Sequence, residues 1–494
     1  MIVIALVALL GALVPIGATF LLLQSTRWDR DSEAAALVLL IALAVGLGLG
    51  FSSCAYFLAL AIADGARVVV VIIDLLFLTG AVAIAWQRGV FRPDVVAKTK
   101  PPPATERRRA ITVAVLVAAV AAVALNTIGN PHGEWDAWAI WNLRARWLFR
   151  GGPAWHSAFT EDAIHGDYPL LLPAAVARLW AYAGADLPAI PGALGAAYAG
   201  ALVLLLYGSL ATLRGRTIGL LATLCLLGTP IFLRTVAWQY ADIPFAFAML
   251  ATLALLAARD HDPACGPSAL VWSGVAAGLA AWTKNEGLLL VVCIAGVRAA
   301  LALARRTSLR PAVWFVAGLL PGAATVVAFK AFLAPPTYQF AGREMSQLLA
   351  QLGDPSRYGV IASAVRGAAL RDAGRLLLAL VIYIALLGRT RDEPARRAAA
   401  AAALVTVLVA FGYVGAYLTT PADLVWQLAH SLDRLLLQLW PYALFAFWLC
   451  AAGPAELAER APAGRASKRR AKSSASRARH PQPKAAGGRA RLPS

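Results

Sequence analysis

The chain has 494 residues, of which 60% are hydrophobic and 14% charged, and its formal net charge is +19. A soluble core of any size does not need so apolar a composition, whereas membrane insertion explains it. The basic residues stand in short clusters between apolar runs and in one terminal tail, where they orient membrane segments, so no nucleic-acid partner is expected. The five cysteines show no CxxC or Cys/His spacing, which argues against a disulfide framework or a zinc site.

Apolar runs divide almost the whole chain, and a bilayer core needs about 20 apolar residues per helix. They predict an all-α polytopic membrane protein with about thirteen transmembrane helices. The runs are Ile2 to Leu23, Leu37 to Ala63, Val68 to Trp86, Ile111 to Leu125, Leu187 to Leu210, Ile218 to Leu233, Ile243 to Ala258, Leu270 to Trp282, Leu288 to Ala304, Val313 to Leu333, Leu376 to Leu387, Ala398 to Leu418 and Leu437 to Cys450. The stretch from Leu170 to Ala183 carries Arg178 and is too short to span, so we expect it in the outer interface.

Three parts follow from this pattern. Residues 1–110 form a three-helix extension with a basic loop, residues 111–455 form the main membrane core, and residues 456–494 form a basic tail that is expected to be disordered. Lys and Arg cluster in alternate connections, and cytoplasmic loops are enriched in them. The predicted amino terminus is therefore outside and the carboxyl terminus cytoplasmic.

The first large outer loop contains the pair Glu134 and Asp136 among closely spaced tryptophans, a pattern that predicts an interfacial helix at headgroup depth. A carboxylate held there can act as a general base on a lipid-anchored substrate. Alternatively, the two carboxylates only complement the helix dipole. Asp167 follows in a Pro-bounded turn, where it is either a substrate contact or part of an Asx-turn.

Two outer junctions add candidate binding residues. Arg234 and Tyr240 precede Asp242, which opens an apolar helix and could simply cap it. Lys284 and Glu286 stand between two apolar runs with almost no loop, and ionisable residues at such depth are costly and usually functional. Lys284 is the strongest candidate for binding a phosphate, because a snorkelling lysine on the outer side would run against the orientation rule.

The last outer segments add cations. The amphipathic stretch from Thr337 to Arg375 is long enough to cover a site as a lid. His430, Asp433 and Arg434 fall on one helical face before the final run. Arg434 can hold a lipid phosphate bidentately, unless it only forms a surface pair with Asp433.

This pattern resembles the GT-C superfamily of polyprenyl-phosphate-dependent glycosyltransferases, which includes protein O-mannosyltransferases and lipid A aminoarabinose transferases. The resemblance covers roughly Ile111 to Leu449. Its motifs are Glu134-Trp-Asp136, Tyr168-Pro169-Leu170, Tyr240-Ala-Asp242, Thr283-Lys284-Asn285-Glu286 and the segment from His430 to Arg434. The acidic loop motif departs from a plain Asp-Asp or Asp-Glu pair, and no large soluble carboxyl-terminal domain follows.

The resemblance implies an inverting transfer of sugar from a polyprenyl-phosphate donor to an acceptor hydroxyl on the extracytoplasmic side of the cell membrane. It makes Asp136 the better candidate for the base, with Glu134 beside it. It implies that the donor is bound by Lys284, Arg434, Asp242, Glu286, His430, Asp167, Tyr240 and Arg234. The acceptor is a glycan, a lipid or a protein, no cofactor is established, and a divalent metal stays open.

Two other functions remain compatible with the sequence. One is a ligase or polymerase that uses diphosphate-linked glycans. The other is a lipid or sugar transporter, which would place ionisable residues near the bilayer midplane in paired broken helices. Asp74 and Arg298 lie deep in their runs and are unexplained by the glycosyltransferase interpretation.

Overall fold

The computed structural model describes residues 2–26, 33–91, 106–160, 163–337 and 342–460, and these residues form helices and connections but no strand. The α-helices are α1 (Ile2–Gln24), α2 (Glu33–Ala63), α3 (Arg67–Gln87), α4 (Glu106–Gly129), α5 (Asn142–Arg150), α6 (Leu171–Ala183), α7 (Ala189–Arg214), α8 (Arg216–Leu227), α9 (Pro230–Val236), α10 (Asp242–His261), α11 (Ser268–Thr283), α12 (Glu286–Ala304), α13 (Ala312–Phe332), α14 (Met345–Leu352), α15 (Pro355–Leu387), α16 (Glu393–Leu418), α17 (Leu424–Cys450) and α18 (Pro454–Arg460). The all-α class is therefore confirmed.

Nine helices of the described residues are long and apolar enough to span a membrane, or ten if the bent pair α8–α9 counts as one span. The predicted count of thirteen is not confirmed. Among the other predicted runs, one lies in the 16-residue α11, and two occupy the carboxyl-terminal parts of α15 and α17, whose amino-terminal parts are more polar. The fourth is broken by 73° where Pro230 begins α9. The orientation of the chain stays a prediction.

Helix α6 is buried within the protein, and the predicted position of this stretch in the outer membrane interface stays a prediction. Twelve of its 13 residues are buried, and it packs against α1, α2 and α5. Arg178 is fully buried there and donates to the Gly11 carbonyl at 2.9 Å and to the carboxylate of Asp74. The Tyr182 hydroxyl donates to the same carboxylate. The deep charge of Asp74 thus has a structural partner.

The amino-terminal helices pack into the same hydrophobic core as the later ones. Gly46 of α2 lies against the Phe247 ring of α10, where an added Cβ would come within 2.1 Å of the ring. The Tyr198 hydroxyl of α7 donates to the Gly46 carbonyl at 3.2 Å. Helices from both sides of residue 110 therefore contribute to one core. The division of the chain at that residue stays a prediction.

Helices α11 and α13 cross at very short distance through facing glycines. A Cβ on Gly274 would lie 1.9 Å from the Phe315 carbonyl oxygen, and a Cβ on Gly318 would lie 1.9 Å from that of Val271. Only glycine permits such an approach of two backbones. This crossing sets the position of Lys284, which follows α11 directly.

The segment from Thr337 to Arg375 is largely helical where it is described, and its predicted role as a lid stays a prediction. Asp354 accepts a hydrogen bond from the Ser356 backbone N–H at 2.9 Å, and Pro355 occupies the first turn, a strong helix start. Helix α15 then continues for 33 residues and merges this stretch with the predicted run after it.

The two ends of the helix bundle carry different side chains. Asp242 opens α10 and His261 closes it, and a helix of 20 residues is about 30 Å long. At the His261 end, His261 lies 3.0 Å from Asp392, and Arg214 pairs with Glu456 of α18 at 2.5 Å. The first residues of the predicted tail are therefore helical, whereas residues 461–494 lie outside the described residues.

We expect Arg178→Met to destabilise the protein by about 3–5 kcal/mol, because it leaves the buried Asp74 carboxylate without its cation. Arg298→Gln is the matched control: Arg298 pairs bidentately with Asp260, but both side chains are about one-third exposed, so its loss should cost less than about 1 kcal/mol. Thermal unfolding in detergent measures both. Equal unfolding midpoints for the two variants would contradict a structural role for the Asp74 pair.

Candidate active site

The acidic loop is pinned to the junction before α10. The Glu134 backbone N–H donates to the Trp238 carbonyl at 3.2 Å, and Gly133 has a φ of +70° with no room for a Cβ beside that carbonyl. Gln239 has a φ of +60°, uncommon for a side-chain-bearing residue, and accepts a hydrogen bond from Asn142 at 3.0 Å. The chain therefore leaves this loop in a fixed direction, through Asp136 into a π-helical turn at Ala137–Trp141.

Asp136 forms an ion pair with Arg434, which lies 298 positions later in the chain. The two side chains are 19% and 20% exposed. Tyr240 joins them: its hydroxyl accepts from the Asp136 backbone N–H at 3.2 Å, and its ring centroid lies 5.1 Å from the Arg434 guanidinium carbon. Burial raises the pKa of Tyr240 to about 12, so this hydroxyl stays protonated at neutral pH.

A second charged group lies beneath this pair. The Lys284 ammonium is 3.0 Å from a carboxylate oxygen of Asp242 and 3.0 Å from one of Glu286. Lys284 is 5% exposed and Asp242 2%. Burial alone would lower the pKa of Lys284, but the two carboxylates outweigh it and raise that pKa above its ordinary value. Gln438, one helical turn after Arg434, also donates to Asp242.

A cavity of about 1300 Å³ opens above these residues. Six of the predicted site residues are among those that line it: Glu134, Asp136, Asp167, Tyr240, His430 and Arg434. The buried Lys284 and Asp242 and the partly buried Glu286 are not among its lining residues in the described part of the chain. Aromatic and acidic side chains and the Arg434 guanidinium thus line the cavity. The charged group around Lys284 forms a second layer below them.

Asp167 is nearly buried and holds two elements together. Its carboxylate accepts from Asn285 at 2.7 Å and lies 3.5 Å from the Lys330 ammonium, which also donates to the Asp167 carbonyl at 2.5 Å. Arg144 is buried in α5 and donates to the carbonyls of Ile164 and His165. Contacts from Asn285, Lys330 and Arg144 therefore hold the turn that carries Asp167 in place.

Two predicted residues have other surroundings. Arg234 is more than half exposed, pairs with Asp372 at 2.8 Å and is not among the described lining residues of the cavity. His430 lines the cavity, where its ring stacks on Trp426 with centroids 4.6 Å apart. Asp433 pairs with Arg371 at 2.6 Å, so it is not the partner of the neighbouring Arg434.

Three residues of this site were missed from the sequence, namely Arg144, Lys330 and Gln438, and Asn285 was named there as part of the motif around Lys284 without a role of its own. Lys330 had a usable signal, because a lysine within an apolar run is costly and seeks a partner. Gln438 had a weaker one, its spacing of four residues from Arg434. The contacts of Arg144 and Asn285 depend on the path of the 163–168 turn, which no local pattern predicts.

The geometry offers no metal site among the described residues. No group of three His, Cys, Asp or Glu side chains is close enough there to hold an ion together. Asp136, Asp242 and Asp167 each pair with a cation of the protein.

We expect Asp167→Ala to destabilise the protein by about 1–3 kcal/mol, because it leaves the buried Asn285 amide and the Lys330 ammonium short of a partner. Hydrogen exchange of residues 163–168 should rise in the same variant. Glu134→Gln is the control, since this exposed carboxylate has one side-chain contact of 3.3 Å, from Asn130. Unchanged unfolding and exchange in Asp167→Ala would show that these contacts are dispensable and favour a substrate contact.

Comparison with known proteins adds a family for the middle of the chain. The family model of dolichyl-phosphate-mannose-protein mannosyltransferases matches residues 188–329. The curated proteins contain no match to this chain, and the solved structures contain none either. The matched segment runs from the start of α7 almost to the end of α13 and includes Asp242, Lys284 and Glu286, whereas Asp136 and Arg434 lie outside it. Residues 188–329 are thus a domain of the dolichyl-phosphate-mannose protein mannosyltransferase family, within the GT-C superfamily.

Proposed function

We propose that this protein transfers a sugar from a polyprenyl-phosphate donor to an acceptor hydroxyl, with Asp136 as the base, at the extracytoplasmic face of the membrane. The family match supports a polyprenyl-phosphate-sugar-dependent glycosyltransferase. The observation that carries the proposal is the ion pair of Asp136 and Arg434 at the edge of a large cavity. In this pair, a carboxylate that can accept a proton and a guanidinium that can bind a phosphate lie close enough to contact the same bound substrate.

The donor phosphodiester binds Arg434 in this proposal, because a guanidinium matches phosphate oxygens bidentately. The acceptor hydroxyl then loses its proton to Asp136 and attacks the anomeric carbon from the face opposite the phosphate. The resulting inversion is implied by the resemblance to the family. A cavity of about 1300 Å³ has room for the headgroup of the donor and for part of the acceptor together.

Lys284 takes an indirect part in this mechanism. Two carboxylates already hold its ammonium, and it is almost fully buried, so it is not available as the first contact of a phosphate. Its charge keeps Asp242 ionised beside Arg434 and so maintains the potential at the floor of the cavity. Arg434 therefore replaces Lys284 as the principal phosphate ligand in the proposal.

The transporter alternative loses its main support. The two deep charges that the transporter alternative could explain are paired within the protein, Asp74 with Arg178 and Arg298 with Asp260. A transporter of the inverted-repeat kind has paired broken helices, and among the described residues one bent pair, α8–α9, is found. The ligase alternative differs in its donor, and a panel that includes diphosphate-linked glycans separates the two.

We expect Asp136→Asn to lower sugar transfer by about 10²–10⁴-fold, the usual contribution of a general base. Membranes containing the protein are incubated with radiolabelled polyprenyl-phosphate sugars, and transfer is counted for wild type and variant. Glu134→Gln serves as the control, because Glu134 lines the same cavity without a cation partner within 4 Å in the described structure. Full transfer by a folded Asp136→Asn protein would eliminate this residue as the base.

The variants Arg434→Gln and Lys284→Met distinguish a residue that binds the phosphate from a residue that stabilises the fold. We expect Arg434→Gln to lower transfer by about 10²–10³-fold, because the leaving phosphate loses its cation. Lys284→Met leaves two carboxylates in the interior without their cation and should destabilise the protein by about 3–5 kcal/mol. Transfer assays and thermal unfolding are measured together. A Lys284→Met protein as stable as wild type but unable to bind donor would restore Lys284 as the phosphate ligand.

A further inference from the structure

Arg434 is the one lysine or arginine among the described residues that line the cavity, and three carboxylates, Glu134, Asp136 and Asp167, line it with Arg434. The proposed reaction asks this single cation to serve two anions. One is the Asp136 carboxylate, to which it is bound in the structure. The other is the phosphate of the donor, which the structure does not hold.

The neighbouring cations cannot take over either task without leaving partners of their own. Lys284 is held by two carboxylates at 3.0 Å each. Lys330 donates to the Asp167 carbonyl at 2.5 Å and lies 3.5 Å from its carboxylate. Arg144 donates to backbone carbonyls of the 163–168 turn and is buried. The electrostatic balance of the cavity surface therefore depends on Arg434.

We propose, on the basis of the function proposed above, that Arg434 is a counter-ion shared between Asp136 and the donor phosphate, and that negative charge passes from one to the other across it during the reaction. With the cavity empty, Arg434 binds Asp136 and neutralises the carboxylate. An arriving phosphodiester competes for the same guanidinium and draws it away from Asp136, which frees the carboxylate to accept a proton from the acceptor. Deprotonation is thus coupled to the presence of the donor.

The charge balance of the transfer step fits this sharing. The acceptor O–H bond breaks, its proton goes to Asp136, and its oxygen electron pair forms the new bond to the anomeric carbon. The bond between that carbon and the phosphate oxygen breaks, and its electron pair stays on the phosphate. Asp136 thereby goes from −1 to neutral while the phosphate gains one negative charge, so Arg434 loses one partner as the other becomes more anionic.

The geometry gives Arg434 room for this exchange. Its guanidinium lies over the Tyr240 ring at 5.1 Å, and the same tyrosine holds the Asp136 backbone by a 3.2 Å hydrogen bond. The Asp136 backbone is therefore held in place by Tyr240. The Arg434 side chain is held by its contact with the Tyr240 ring and by its ion pair with Asp136. A small rotation of the guanidinium over the ring changes its anion without moving the backbone of either residue.

The test is a binding cycle with decaprenyl phosphate, a prenyl monophosphate that carries no sugar, on the full chain in lipid nanodiscs. Removing the competing carboxylate should strengthen binding, so we expect Asp136→Asn to bind decaprenyl phosphate about threefold to fivefold more tightly than wild type, the effect of one partly exposed charge pair. Arg434→Gln should lose most of the affinity. The double variant should match Arg434→Gln, because the gain requires the arginine.

Asp433→Asn is the matched control, since it removes a carboxylate that is next to Arg434 in the chain but pairs with Arg371 and is not among the described lining residues of the cavity. We expect its affinity to change by less than about twofold, the effect of a partly exposed surface pair outside the binding site. Should Arg434→Gln not give a monodisperse protein, Arg434→Lys takes its place, with the Asp136→Asn gain reduced but present.

Three results would overturn the proposal. Asp136→Asn could bind decaprenyl phosphate no better than wild type, its gain could persist without Arg434, or Asp433→Asn could show the same gain. In each case wild-type binding remains and the proposed glycosyltransferase function is untouched. Failure of wild type to bind any prenyl phosphate in a saturable manner would instead overturn both proposals.

Discussion

The cost of holding charge away from water governs this structure. A buried ion without a partner is strongly destabilising, so each deep ionisable group must be balanced by an opposite charge or by hydrogen bonds. Asp74 has Arg178, and Lys284 has Asp242 and Glu286. These ion pairs connect helices that are distant in sequence, and they determine which charged groups remain able to bind a ligand. Among the described residues, Arg434 is the lysine or arginine that lines the cavity, and its salt-bridge partner Asp136 lines the cavity with it.

The charged cluster is organised in two layers with different properties. In the lower layer, Lys284 and Asp242 are buried and the Glu286 carboxylate is 17% exposed. Both carboxylates pair with the Lys284 ammonium, so these charges act as fixed elements of the scaffold. The upper layer, Asp136 and Arg434, is about one-fifth exposed and faces the cavity. Gln438 links them, because it lies one turn from Arg434 on α17 and donates to Asp242. A partly exposed pair supported by a rigid layer can exchange partners while the backbone stays in place.

Much of this arrangement was predictable from the sequence, and the reasons for the failures are physical. Apolar length gave the helical class, and the outer-loop argument brought Asp136, Tyr240, Asp242, Lys284 and Arg434 to one end of the bundle, where they are found together. Side-chain depth was not predictable, because burial of Lys284 depends on how α10, α12 and α17 pack. The surroundings of Arg234 were not predictable for the same reason: its partner Asp372 belongs to α15, whose position no local pattern indicates.

The glycine contact between α11 and α13 has a consequence for where motion can occur. With Gly274 and Gly318 each pressed against an opposing carbonyl, the two helices have no lateral freedom and must shift as one body. Lys284 follows one of them and Lys330 lies in the last turn of the other, so the spacing of these two ammonium groups is fixed by the glycine contact. Sliding of α11 against α13 is therefore opposed sterically, whereas Arg434, on α17, is not part of this contact.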